Sequence, residues 1–308
     1  MDARQLRFFL AVVDFDGFSR AAEQLYIAQP SLSQAIAGLE RELGVELFHR
    51  VGRGVTITDA GAQLIGPARQ VLRDLAEAKS AIDAVKGVST GRVEITTMPS
   101  PGVEPLSTIM QRFTKRHPNI TLSVDAAFVP EEILHAVRTG ASEMGLVGAP
   151  TQIQAADLIV TPIETQELVL VTAPGGPLAN RDTITRDDLA GHRLVVSQRG
   201  SLMRAMVDDV LSSGIAAHVV AEVAHRTSIL PLVLAGVADA VLPAGWTALA
   251  RRAGADVLTI QPPSYLRVAL VHRNRPLTPA GGAFLETVKG YVADPAELET
   301  ATIDTPPG

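Results

Sequence analysis

In the first sixty residues, apolar positions recur at the three- and four-residue intervals of helices, with short breaks between them. Leu6, Phe9, Leu10 and Val13 fall on one helical face. Asp16-Gly17 breaks that helix, and Ser19 is placed to cap a second one carrying Ala21, Ala22 and Leu25. Ala28-Gln29-Pro30 opens a third, because proline is tolerated in a first turn. Its buried face is Leu32, Ile36 and Leu39, which leaves Gln29, Ser31, Ser33, Gln34 and Ala37 pointing outward. Leu47 to Arg50 and Val55 to Thr58 then read as two short strands around Val51-Gly52-Arg53-Gly54. That hairpin carries Arg50 and Arg53 near its tip.

From Asp59 to Lys86 the pattern becomes one long helix. Leu64, Ala68, Val71, Leu75, Ala78, Ile82 and Val85 alternate spacings of four and three, the seam of a coiled coil and an expected dimer contact. At ~1.5 Å per residue such a helix is roughly 40 Å long, and Pro67 inside it is expected to kink or loosen one turn. Gly87 to Gly91 reads as a hinge.

Beyond Arg92, strand-like runs alternate with helical ones, the pattern of a parallel sheet with helices on both faces. The strands are Val93–Thr97, Ile120–Val124, Met144–Val147, Leu168–Thr172, Leu194–Val196, Ala240–Leu242 and Val268–Val271. Met98 to Gly102 reads as a loop before a helix to about His117. Two lobes joined by crossing strands form a cleft, and ligands of open α/β sheets sit at the carboxyl ends of strands. The expected division is residues 1–58, then 59–91, then 92–292, with a first lobe of 92–162 and 268–292 and a second of 163–267. An acidic tail, 293–308, is expected to be disordered.

Composition narrows the chemistry. The 308 residues contain no cysteine, which excludes disulfides, thiolate metal sites and thiol redox sensing. The seven histidines are scattered, and phosphate-loop, nucleophile-elbow and dinucleotide motifs are absent. No cofactor, metal or catalytic set is implied, so an enzyme is not the expectation. No apolar run is long enough for a membrane helix, and the N-terminus lacks a signal-peptide layout, so a soluble cytoplasmic protein is expected. Net charge is −6. Residues 1–58 hold six basic residues (4, 7, 20, 41, 50, 53) against seven acidic (2, 14, 16, 23, 40, 42, 46). One copy of this region should therefore bind a polyanion poorly, and oligomerisation would have to compensate.

Two short helices with a tight joint, the second exposing small polar side chains, fit a helix-turn-helix docked in a major groove. The same face is also that of an ordinary solvated helix. The stretch Leu6 to Gly61 resembles the winged helix-turn-helix of LysR-type transcriptional regulators. The matching residues are Arg4-Gln5-Leu6-Arg7-Phe8-Phe9, Gly17-Phe18-Ser19-Arg20-Ala21-Ala22, Ala28-Gln29-Pro30-Ser31-Leu32-Ser33, Leu39 to Phe48, Arg50 and Thr58-Asp59-Ala60-Gly61. The resemblance implies double-stranded DNA with a two-fold operator as partner, contacted by Ser19, Arg20, Gln29, Pro30, Ser31, Ser33, Gln34, Arg50 and Arg53. It also implies a paired linker helix and a tetramer built as a dimer of dimers. Ala28 departs from the family's capping Ser or Thr, and Ala37-Gly38 stands where basic residues are common.

Weaker matches (Phe113 to Pro118, Asp188-Leu189-Ala190, Gly236, Leu242-Pro243) resemble the effector-binding part of the same regulators, which is similar in fold to periplasmic binding proteins. By that resemblance a small molecule lies between the lobes against Ser100, Pro101, Phe128, Gly148, Ser197, Gln198, Arg199, Ser201, Arg226 and Thr227. Ser100, Ser197 and Ser201 sit at strand-to-helix turns, which favour an anion, and Arg199, Arg204 and Arg226 are candidates to hold a carboxylate. Where the family often shows Gly-Leu-Gly-Val-Ala, this chain has Gly236-Val237-Ala238-Asp239-Ala240; the lost glycine and the added Asp239 bear on one edge of that pocket, Asp239 either selecting a donor on the ligand or capping a helix. The rival reading is a metabolite-sensing module that acts through a protein partner rather than DNA.

Overall fold

A computed structural model describes residues 1–51, 54–85, 91–178, 181–212 and 217–293. Arg53, most of the expected hinge and the tail from residue 294 lie outside the described residues, as do the side chains of Arg50, Ile82 and Val85. The chain divides into two compact units, Met1–Gly91 with Arg138–Ser142, and Arg92–Val137 with the residues from Glu143 onward.

In the first unit, α1 (Ala3–Asp14) begins with a reciprocal cap. Asp2 accepts from the Gln5 N–H at 2.8 Å, and the Gln5 side chain accepts from the Asp2 N–H at 2.9 Å. The chain then turns at Asp16 (φ 48°) and Gly17 (φ 140°), and α2 (Phe18–Gln24) starts with Gly17 as its cap. Ser19 therefore lies inside α2 rather than capping it, because the corner admits the helix two residues earlier than its sequence suggests. Next comes α3 (Gln29–Leu43), whose cap residue Ala28 offers no side-chain bond. Gly44 ends it at φ 72°, a left-handed stop that favours glycine.

Strands β1 (Phe48–Val51) and β2 (Gly54–Ile57) pair antiparallel. They are tied to α3 by Glu40, whose Oε1 accepts from the Leu47 and Phe48 N–H groups at 2.8 and 3.3 Å. Phe48 meets the rings of Phe9 and Phe18 at 5.5 and 5.7 Å, closing a core around Leu6, Leu32, Ile36 and Leu39. The long helix α4 (Asp59–Val85) runs on through Pro67. Its first turn rests on Thr58, whose hydroxyl donates to Glu46 O at 2.8 Å and accepts from the Gly61 N–H at 3.0 Å. A Cβ on Gly61 would fall on the Leu47 carbonyl oxygen, so only glycine allows this approach.

The expected seam on α4 divides. Ala68 is 1% exposed and Leu64 packs beside it in the core of its own unit, against α1. Val71, Leu75 and Ala78 are exposed. Heptad spacing alone does not say which neighbour covers a stripe, and here its N-terminal end is covered by its own chain.

The second unit contains, in order, β3 (Gly91–Thr97), α5 (Pro99–Val103), α6 (Leu106–Arg116), β4 (Ile120–Ala126), α7 (Pro130–Thr139), β5 (Met144–Ala149), β6 (Leu158–Thr172), β7 (Thr183–Thr185), β8 (Arg193–Ser197), α8 (Leu202–Leu211), β9 (His218–Val223), α9 (Ile229–Leu234), β10 (Ala240–Pro243), α10 (Thr247–Arg252), β11 (Asp256–Gln261), β12 (Tyr265–Arg273) and α11 (Pro279–Ala293). The expected loop at Met98–Gly102 is instead a helical turn, and Pro105, which cannot donate a backbone bond, separates α5 from α6.

One eight-stranded sheet has the order β4-β3-β5-β12-β6-β11-β7, with β10 on β6. β8 and β9 form a parallel pair beside it, joined to β10 through a single Leu194–Asp239 bridge. The sheet is mixed rather than parallel: β12 runs antiparallel to both β5 and β6, while β3 and β5 are parallel. The reason is that β6 and β12 are long strands that cross the unit in opposite directions and belong to both halves. The expected lobe limits at residues 162/163 and 267/268 fall inside these two strands. Ile95, Ile109, Phe113 and Phe284 fill one part of the core, and Val195, Val233, Leu242 and Trp246 another. Among the described residues no helix is long and apolar enough to cross a membrane.

Candidate functional site

On the first unit, α3 presents Gln29, Pro30, Ser31 and Gln34 to solvent, with Ser33 half-buried. Gln29 donates from Nε2 to Ser33 Oγ at 3.0 Å, which orients its amide along the helix. Amide and hydroxyl groups held this way are suited to base edges in a major groove. Ser19 and Arg20 are exposed on α2, and Arg20 is held by Asp16, with an Nη2–Oδ2 distance of 2.7 Å. The turn between α2 and α3 carries Tyr26, 94% exposed, which the periodicity argument passed over. An aromatic between Leu25 and Ile27 in a turn was the available signal.

On the second unit, three of the expected residues are buried, and two of them meet. Ser100 opens α5, Ser197 ends β8, and Arg226 stands in the helical turn after β9, all 5% exposed or less. Arg226 Nη1 donates to Ser100 Oγ at 3.3 Å, across 126 residues of sequence. Its Nη2 has no acceptor, and Ser197 Oγ has no partner. No carboxylate faces this guanidinium among the described residues, and burial pushes its pKa down to about 10. It remains a cation near neutrality, in a place where an unpaired charge is costly. A bound anion would supply the missing acceptor.

The other two arginines differ. Arg204 is 7% exposed but already bonded to Asp208 at 2.7 Å and Glu222 at 2.8 Å, Asp208 contributing most to the rise in its pKa. Glu222 in turn accepts the Arg199 backbone N–H at 3.0 Å, and chiefly that bond holds its carboxyl below the usual range. Arg204 thus has no free donor set for a ligand carboxylate, whereas the Arg199 side chain is exposed.

Ser201 caps α8: it accepts from the Arg204 N–H at 3.2 Å and donates to Gln198 O at 2.9 Å. Pro101 is buried, and Gly148 is packed so closely that a Cβ would lie 3.0 Å from Leu266 and 3.3 Å from Pro101. Phe128 and Thr227 are exposed. A cavity of about 780 Å³ is lined by Val129 to Glu131, Ala149 to Gln154 and Arg199 to Leu202.

Asp239 accepts from His192 Nδ1 at 2.8 Å, in a hollow of about 480 Å³ at the start of β8. No local pattern marks Gln166, whose Nε2 donates to Glu104 O at 2.9 Å while its Oε1 accepts from the Gly245 N–H at 3.3 Å. It ties the α5–α6 junction to the turn after β10.

Residues 3–62 match the family profile described as a bacterial regulatory helix-turn-helix protein of the lysR family, and residues 86–293 match the LysR substrate binding domain. The chain is 30% identical over 212 residues to a RuBisCO operon transcriptional regulator of Allochromatium vinosum, covering 68% of each chain. It is 27% identical over 289 residues to the uncharacterized HTH-type transcriptional regulator YfeR of Shigella flexneri, covering 93% of this chain and 92% of that one. Among solved structures, full-length CbnR complexed with its target DNA has a TM-score of 0.66 at 22% identity, covering 94% of this chain and 99% of that one. A full-length OxyR variant from Pseudomonas aeruginosa has a TM-score of 0.69 at 19% identity, covering 94% and 95%.

Proposed function

The chain belongs to the LysR family of bacterial regulatory helix-turn-helix proteins, and from that premise we propose a cytoplasmic regulator whose grip on DNA is set by a small anionic effector. Residues 1–58 read a two-fold operator through Gln29, Pro30, Ser31, Ser33 and Gln34, with Ser19, Arg20, Arg50 and Arg53 on the sugar-phosphate backbone. Residues 59–91 pair two chains through Val71, Leu75 and Ala78. Two such pairs form a tetramer. Residues 92–292 hold the effector.

The observation that carries the effector class is Arg226, a buried guanidinium with one hydroxyl partner, Ser100, and an unfilled Nη2. A carboxylate or comparable anion supplies the acceptor that this guanidinium lacks. For such a ligand to regulate, it must favour one assembly over another, since equal affinity for both shifts nothing.

The test is selection of fragments from sheared genomic DNA of the source organism by the purified protein, followed by footprinting with and without small carboxylates. A protected interrupted dyad whose footprint changes with one carboxylate supports both halves of the reading. A footprint indifferent to every anion removes the effector assignment. No enrichment even at low salt removes the DNA assignment and favours a protein partner, consistent with the acidic balance of residues 1–58.

A further inference from the structure

Resting on the DNA-binding reading above, the geometry points to Tyr26 as a contact to the DNA backbone. The phenol donates to a phosphate oxygen and the ring lies against deoxyribose, adding a neutral clamp beside the polar face of α3.

Folding does not account for this residue. Tyr26 is 94% exposed, while its neighbours Leu25 and Ile27 pack against the core of the unit. Its backbone closes the turn through the Tyr26 N–H to Glu23 O bond at 3.1 Å, which any residue with an N–H provides. Its φ of 54° is in the left-handed region, where an L side chain is crowded by the next carbonyl and where glycine or asparagine is favoured. Asp16 is the other non-glycine residue with positive φ among the described residues, and it anchors Arg20. Tyr26 bears the same strain while its hydroxyl bonds to nothing among the described residues. An aromatic that is both strained and wholly wet is explained by what it touches outside the chain.

Position and charge name the occupant. Tyr26 precedes Gln29 by three residues, at the end of α3 that also exposes Gln29, Pro30 and Ser31. Residues 1–58 carry one more acid than base, and Arg20 is already paired with Asp16. With so few cations, backbone contacts here draw on neutral donors beside the arginines, and a tyrosine hydroxyl is one of them. A neutral donor displaces no counterion, so it adds affinity without adding to the salt dependence.

The experiment compares the full-length wild type with Tyr26→Phe and Tyr26→Gly. Affinity is measured across a salt series on a labelled 60-bp duplex carrying a wild-type-selected site and on a scrambled duplex, and thermal melting is recorded alongside. Tyr26→Phe is expected to lose about fivefold per domain on both duplexes, the scale of one hydrogen bond, with the salt slope unchanged. Tyr26→Gly is expected to lose more, yet to melt at or above the wild-type temperature. Wild-type affinity in both variants overturns the proposal while leaving the DNA reading intact. So does a changed salt slope in Tyr26→Phe, or a lowered melting temperature in Tyr26→Gly, which would make the residue structural. A wild type that selects no DNA overturns both.

Discussion

The two candidate sites keep their polar groups available in opposite ways. On α3 the amides and hydroxyls face water, which satisfies them until a partner arrives, so they cost the fold nothing. In the second unit Arg226 and Ser197 are kept dry with bonds left open, and the fold bears that cost. Substitutions on the exposed face should therefore change recognition with stability untouched. Substitutions in the buried site should separate the two, with response lost as stability rises. The framework that holds each site should behave unlike either.

The largest effect tests that last point. Gly61→Ala places a methyl group on the Leu47 carbonyl, and backbone cannot move aside as a flexible side chain can. We expect about 3 kcal/mol of lost stability in the first unit, read from thermal or urea unfolding. A loss under about 0.5 kcal/mol, the scale of surface changes, would mean α4 does not approach the hairpin this closely.

Arg226→Met comes next and breaks or confirms the comparison most directly. It keeps length and removes an unpaired buried charge, so the unliganded protein should gain about 1 kcal/mol or more. Anion affinity should fall about a hundredfold with the loss of a charge-assisted pair. Calorimetry with the carboxylate that alters the footprint, and melting without it, read the two effects separately. A destabilised variant that still binds the anion would reverse the assignment.

Glu40→Ala sharpens the framework side. Two N–H groups at the start of β1 lose a charged acceptor, at a cost of about 2 kcal/mol. Glu40→Gln should recover most of it, since the amide oxygen still accepts. Gln34→Ala, by contrast, should leave stability within about 0.5 kcal/mol and relax base choice at defined operator positions. Footprints and selected sequences unchanged by Gln29→Ala and Gln34→Ala together would remove α3 from the DNA.

How far each region was legible follows the same division. The first unit is written in local signals: a period of 3.6, proline in a first turn, and polar residues on the face opposite Leu32, Ile36 and Leu39. The second is assembled by topology. Ser100 and Arg226 are brought together from opposite ends of the unit, and no local pattern pairs them. Seven strands could be found as apolar runs, all but β4 buried, but a run buried on both faces carries no mark of direction, so β6 and β12 did not announce an antiparallel crossing. β9, with its exposed HVVAEV, lacks alternation and was missed. β11 was missed as well, although Leu258 and Ile260 alternate inward. The arginines divide similarly. Asp208 lies four residues after Arg204 and Glu222 four residues before Arg226, so spacing alone gives each arginine one acidic neighbour. The fold gives both acids to Arg204 and leaves Arg226 buried with neither.

The smallest effect is the most specific to the buried site. Burial lowers the Arg226 pKa to about 10, so the unfolded chain holds this proton to higher pH than the folded one. Between about 10 and the usual guanidinium range the unfolded state binds more protons, and stability attributable to this group rises with pH. The stability gap between wild type and Arg226→Met should therefore be constant from pH 6 to 9 and narrow as pH passes about 10, other titrations cancelling between the two proteins. An anion bound at Arg226 favours its protonated form, so affinity should be flat over the same lower range and weaken above it. The α3 face carries no such group, and DNA binding by the unliganded protein should show no inflection assignable to Arg226. Measured as differences between the two proteins, a gap that stays constant to pH 11 would place the Arg226 guanidinium in water, and the contrast between a dry site and a wet one would be lost with it.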